Sequence, residues 1–209
     1  MGSQKPTAFF MESFFVDEVS TSYCLKGSFY VRDQMNIVLI GYRCSGKTAI
    51  GQMLGRELRR GFLDTDSLIE KNSGCSIEMI ISRHGWDHFR EIEKRLVEEV
   101  SAKDDLVIAT GGGVVVDKEN VKNLQENGWI VWLKGESEAL EARMDKEQKS
   151  NKIRPSLTGA DPLEEIKQVV EERTPLYEQA ANLVVDTTTL SLMEGASLII
   201  KALPKGLQG

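Results

Sequence analysis

Positive charge, cysteine and long apolar runs are what this chain of 209 residues has little of. Lys and Arg number 26 against 32 Asp and Glu, a formal net charge of -6. This gives no support to nucleic-acid binding, which usually asks for a basic face, and no nucleic-acid partner is expected. No apolar run approaches the roughly 18 residues a membrane helix needs, so no membrane span is expected either. The three cysteines, Cys24, Cys44 and Cys75, are scattered, odd in number and without metal-ligand pairing. They point to a reduced, cytoplasmic setting.

Phenylalanine is scarce over most of the chain, because five of the seven (Phe9, Phe10, Phe14, Phe15 and Phe29) fall before Met35. Residues 1–34 show no sustained periodicity, and Glu12, Asp17 and Glu18 interrupt any secretory signal. Two readings stay open: a mobile extension ahead of a domain spanning 35–209, or a segment that packs on that domain or on a partner through its Phe pairs.

What is present from Met35 onward is an alternation of strand and helix, the pattern of a parallel sheet covered by helices on both faces. Strands are expected at Asn36–Ile40, Phe62–Asp64, Leu106–Ala109, Trp129–Leu133 and Leu183–Val185. Asp117 suits an N-cap, and Asp161-Pro162-Leu163-Glu164 combines a capping Asp, a first-turn Pro and a Glu three residues on. The polar run 146–160, with Pro155 and Gly159, is either a solvated loop or a mobile lid.

The first strand runs into Gly41-Tyr42-Arg43-Cys44-Ser45-Gly46-Lys47-Thr48, which fits the phosphate-loop pattern. Gly41 and Gly46 permit backbone angles that let successive N–H groups curl around a polyphosphate at a helix start. Lys47 reaches the outer phosphates, and the Thr48 hydroxyl can bind the magnesium ion that accompanies ATP or GTP. Downstream, Asp64-Thr65-Asp66 ends the second strand. In an extended chain residues two apart point the same way, so both carboxylates are expected on one side, at the crevice. One can hold magnesium through water while the other takes a proton from an attacking hydroxyl.

Gly111-Gly112-Gly113 ends the third strand, where bare backbone N–H groups can approach a ligand. Glu93 lies three residues beyond Arg90 on an expected helix from Trp86 to Val100, close enough to orient the guanidinium toward a substrate carboxylate. Arg154 lies in the lid stretch beside Pro155, and closure could bring its charge onto the transferring phosphoryl group. Arg173 stands before Pro175, which is expected to kink or end its helix. Arg143 follows the fourth strand and could stack on a purine.

Together, the phosphate loop, Phe62-Leu63-Asp64-Thr65-Asp66, Phe89-Arg90 with Glu93, the glycine triplet, Arg154-Pro155 and Arg173 with Pro175-Leu176-Tyr177 resemble the shikimate kinases. The resemblance runs from about Met35 to Leu203. It implies an α/β P-loop fold of three layers, with a five-stranded parallel sheet in the order 2-3-1-4-5, a helical substrate-binding segment and a lid at about 146–160. It implies a monomer that uses ATP and Mg2+ to phosphorylate the 3-hydroxyl of shikimate, a step toward chorismate. Nucleotide contacts would come from Gly41, Cys44, Ser45, Gly46, Lys47, Thr48, Ala49, Arg143 and Arg154, and the metal would be held by Thr48 and Asp64. Lys47, Asp66 and Arg154 would be catalytic. Asp66, Arg90, Glu93, Gly111, Gly112, Gly113 and Arg173 would bind the substrate. Two departures stand out: Cys44 falls where the family often has Gly, and Ser156 where an apolar residue is usual. A kinase for another polyhydroxy acid such as gluconate, and a nucleotide-binding regulatory module without turnover, are the competing readings.

Overall fold

The computed structural model describes residues 23–25, 34–148 and 162–208. Six strands are present among them: β1 Tyr23–Leu25, β2 Asn36–Ile40, β3 Gly61–Asp64, β4 Leu106–Ala109, β5 Gly128–Lys134 and β6 Leu183–Asp186. Strands β2 to β6 run parallel in the order β3-β4-β2-β5-β6, the expected 2-3-1-4-5 arrangement counted from Asn36. Strand β1 adds a sixth, antiparallel edge, with Tyr23 opposite Val185 and Leu25 opposite Leu183. Sequence periodicity gave no sign of it, since three residues are too few to show alternation.

The sheet is buried on both faces, and its side chains alternate between two cores. Val38, Ile40, Ile108, Ile130 and Trp132 pack with Phe89, Leu96, Val97, Leu124 and Tyr177 on one side. Ile37, Leu39, Val107, Val131 and Leu133 pack with Ile50, Leu54 and Ile199 on the other. Burial on both faces explains why these strands are continuous apolar runs. Truncating a fully buried residue such as Leu39 would cost about 2–5 kcal/mol.

Helices α1 Lys47–Glu57 and α7 Leu192–Ala202 lie against the second core. Helices α2 Thr65–Ser73, α3 Ile77–Ser101, α4 Lys118–Glu126 and α6 Pro162–Ala180 contribute to the first, and α5 Ser137–Gln148 packs on α6. Helix α3 is broken at Gly85, whose φ of 82° and ψ of 172° lie outside the helical range. Its second half therefore begins at Trp86, where the sequence places it. Asp117 caps α4 by accepting from Glu119 N.

Of the kink or end expected at Pro175, the end does not occur: α6 continues to Ala180. Tyr177 and Ala180 are buried in the first core, and that burial offsets the backbone hydrogen bond a proline cannot make. Asp161 and most of the 146–160 stretch lie outside the described residues.

Candidate active site

The phosphate loop joins β2 to α1 at the carboxyl end of the sheet, where an open parallel sheet binds ligands. Gly41 has φ 141° and Gly46 φ 98°, values that L side chains rarely adopt. Cys44 has φ 59°, a left-handed conformation that costs a residue with a Cβ about 1–2 kcal/mol. This explains why glycine is common there and marks a strained position in this chain. Lys47 is buried within the loop, donating from Nζ to Gly41 O at 2.8 Å and Tyr42 O at 2.7 Å. Ser45 is buried beneath it, and Ala49 lies in the first turn of α1.

Asp64 and Asp66 part company. Asp64, still extended, is the last residue of β3 and the N-cap of α2, with Oδ1 accepting from Ser67 N at 3.1 Å. Its Oδ2 accepts from Thr48 Oγ1 at 2.7 Å. Asp66 is already in the first turn of the helix, so strand alternation does not govern where it points. The strand gives way to helix between the two acids, and the shared facing expected for an extended chain is lost. Asp64 turns to the phosphate loop, and Asp66 turns to the glycine triplet.

Thr65, between them, is buried and accepts from Gly111 N at 3.0 Å, which ties the start of α2 to the triplet. A Cβ on Gly111 would lie 2.7 Å from Asp66 Oδ1 and 2.8 Å from Glu93 Oε1. One on Gly113 would lie 2.6 Å from Arg90 Nη1. At both glycines a Cβ would displace the side-chain ends that now occupy this space. The Arg90 guanidinium is held by Glu93, with Nη1 donating to Oε2 at 2.5 Å, and lies over Trp86 and Phe89 at 5.5 and 5.3 Å from their ring centroids. Arg173 Nη1 donates to Gly112 O at 3.0 Å. Asp66, Arg90, Glu93, the triplet and Arg173 thus line one pocket.

Glu93 belongs to the apolar stripe Phe89, Leu96, Val97 and Val100 on α3 and is 1% exposed. Burial pushes its carboxyl pKa up, a shift opposed by Arg90 and reinforced by the nearby charge of Asp66. Its Oε1 has no hydrogen-bond partner among the described residues. An acid in an apolar helical stripe was the sequence signal for this buried role.

Arg143, on α5, bridges the phosphate loop and the turn after β6. It donates to Cys44 O at 3.4 Å, to Thr187 Oγ1 at 3.3 Å and to the backbone carbonyls of Thr187 and Thr188. Arg154 lies outside the described residues. Sequence reading passed over Tyr42 and Arg43, which also line the acid pocket. Arg43 is salt-bridged at 3.1 Å to the buried Glu165 of α6, a pairing between distant stretches that no local pattern reveals.

The donor set fits magnesium. Thr48 Oγ1 and Asp64 Oδ2 are hard oxygen donors 2.7 Å apart, and no group of three or more His, Cys, Asp or Glu side chains suited to a metal is found among the described residues. Magnesium keeps waters and phosphate oxygens for most of its shell, so one carboxylate and one hydroxyl suffice.

A phosphate loop at the switch point of a 2-3-1-4-5 parallel sheet, facing a pocket with an acid and two arginines, defines a P-loop kinase of small molecules. The family model described as "Shikimate kinase" matches residues 43–204. The shikimate kinase of Syntrophus aciditrophicus is 38% identical over 177 residues, covering 81% of this chain and 91% of its own. That of Pelotomaculum thermopropionicum is 42% identical over 165 residues, covering 79% and 93%. Among solved structures, shikimate kinase from Acinetobacter baumannii in complex with shikimate superposes with a TM-score of 0.74 at 30% identity, covering 80% of this chain and 91% of that one. The chain belongs to the shikimate kinase family.

Proposed function

We propose that the protein transfers the γ-phosphoryl group of ATP to the 3-hydroxyl of shikimate, giving shikimate 3-phosphate and ADP on the route to chorismate. The observation that carries this reading is one pocket lined together by Arg90, Arg173, the glycine triplet and Asp66, with Tyr42 and Arg43 of the phosphate loop. Arg90 and Arg173 grip the substrate carboxylate, the first oriented by Glu93. The ring lies along Gly111–Gly113. Asp66 accepts the proton of the hydroxyl as its oxygen attacks the γ-phosphorus and the bond to the ADP oxygen breaks.

Lys47 leaves its loop carbonyls for the β- and γ-phosphates, while Ser45, Gly46, Thr48 and Ala49 offer backbone N–H groups. Arg143 lies along the adenine, and Arg154 comes down with the lid onto the transferring group. Magnesium held by Thr48 and Asp64 would neutralise charge on the β- and γ-phosphates. Catalysis is thus positioning and charge neutralisation. We further propose a cytoplasmic monomer in which residues 1–34 do not serve the kinase chemistry, although Tyr23–Leu25 among them add an edge strand to its sheet. A chain lacking them should keep its turnover.

A coupled assay of ADP release across a panel of hydroxy acids, gluconate included, tests the reading. Rapid release with shikimate alone is expected. Release with gluconate instead would reassign the substrate, and none with any acid would favour the regulatory module.

A further inference from the structure

Tyr177 carries a hydroxyl that packing alone does not require. It is 1% exposed, and its ring lies parallel to that of Trp132 on β5, with centroids 5.7 Å apart. A phenylalanine would fill that slot equally well, whereas a buried hydroxyl costs free energy unless it finds a partner. Its partner is the Gly112 carbonyl, to which it donates at 2.5 Å. Arg173, four residues earlier and so one helical turn away on the same face of α6, donates to that oxygen at 3.0 Å. Both donors converge on that one carbonyl, and Arg173 also hydrogen-bonds the Tyr177 hydroxyl.

The Gly112 peptide has no side chain of its own to fix it. It lies against the phosphate loop, where an added Cβ would be 3.3 Å from Arg43 N and 3.5 Å from Gly41 O. On one side Gly111 N is anchored on Thr65, and on the other Gly113 lies beneath the Arg90 guanidinium. The Gly112 carbonyl is the point at which Arg173 and Tyr177 of α6 hold the triplet.

We infer that Tyr177 is a positioning residue for acid recognition: its hydroxyl fixes the Gly112 carbonyl, and through it the direction of Arg173 and of the triplet's N–H groups. The inference rests on the reading of this pocket as the acid site. Burial raises the phenol pKa further above its usual value, so the hydroxyl remains a donor at every working pH.

The test is Tyr177→Phe in the full chain, with initial rates measured against both substrates and the melting temperature recorded. We expect the KM for shikimate to rise about fivefold to tenfold, the scale of one lost hydrogen bond, while the KM for ATP stays within about twofold. In the Arg173→Ala background the same change should add less than it does alone, because both groups act through one oxygen. An active wild type whose Phe variant keeps both KM values, whatever its melting temperature does, overturns this inference alone. Equal rises in both KM values also overturn it, as they would mean general loosening. A wild type that releases no ADP with shikimate overturns the functional reading and this inference with it.

Discussion

Eight consecutive residues, Gly41 to Thr48, build most of the phosphate side of the crevice, whereas the acid side draws Arg90 from α3, three glycines from the turn after β4 and Arg173 from α6. The phosphate side is held by backbone: positive φ at Gly41, Cys44 and Gly46, and the Lys47 ammonium folded onto its own loop. The acid side is held by side-chain contacts: Glu93 holds Arg90 from one turn along the same helix, and Arg173 and Tyr177 of α6 reach the distant Gly112 carbonyl. Phosphates of every nucleotide look alike, so one local motif serves them all. A particular acid must be recognised from several directions, and only tertiary structure supplies those.

Asp66, which stands between the two sides, should give the largest effect. Asp66→Asn is expected to lower kcat by about 10²–10⁴ while calorimetry shows ATP binding intact. Turnover equal to wild type would remove its role as base.

Gly113→Ala should come next. The added methyl falls on the Arg90 guanidinium, so the KM for shikimate should rise about tenfold or more while the KM for ATP holds. A larger effect on ATP would mean that the two sides are not built separately.

The smallest effect concerns Glu93, whose carboxyl pKa lies above its ordinary value near 4.5 because of burial. It therefore takes up a proton at a higher pH than a free glutamate, and its hold on Arg90 weakens as it does. The KM for shikimate should climb on acidification before ordinary carboxylates titrate, and Glu93→Gln should flatten that climb. The folding sign is opposite. The native state binds this proton more tightly than the unfolded chain, so stability is lost as pH rises through 4.5 toward the native value. Wild type and variant with the same pH profile would show that Glu93 does not control the clamp.

The contrast between the sides also explains what the sequence could reveal. The parallel sheet was legible because burial on both faces makes its central strands dense apolar runs, and the phosphate loop because its spacing is local. Arg90, Arg173 and the triplet were legible as types in a recurring order, but nothing in their spacing places them around one pocket. Asp66 was found for an incomplete reason, since it points from a helix and not a strand. The Arg43–Glu165 pair, the Thr65 anchor and strand β1 depend on contacts between distant stretches or on a segment too short for periodicity. Most of the 146–160 stretch, Arg154 included, lies outside the described residues.

The central claim is that Arg90 acts on the acid side alone, although Tyr42, Arg43 and the Gly112 peptide join the two sides structurally. Initial rates of Arg90→Ala, measured against shikimate and against ATP, test it most directly. The KM for shikimate should rise by about two orders of magnitude, as a charge-assisted clamp predicts, with the KM for ATP within about twofold. A rise confined to ATP, or equal in both, would contradict it.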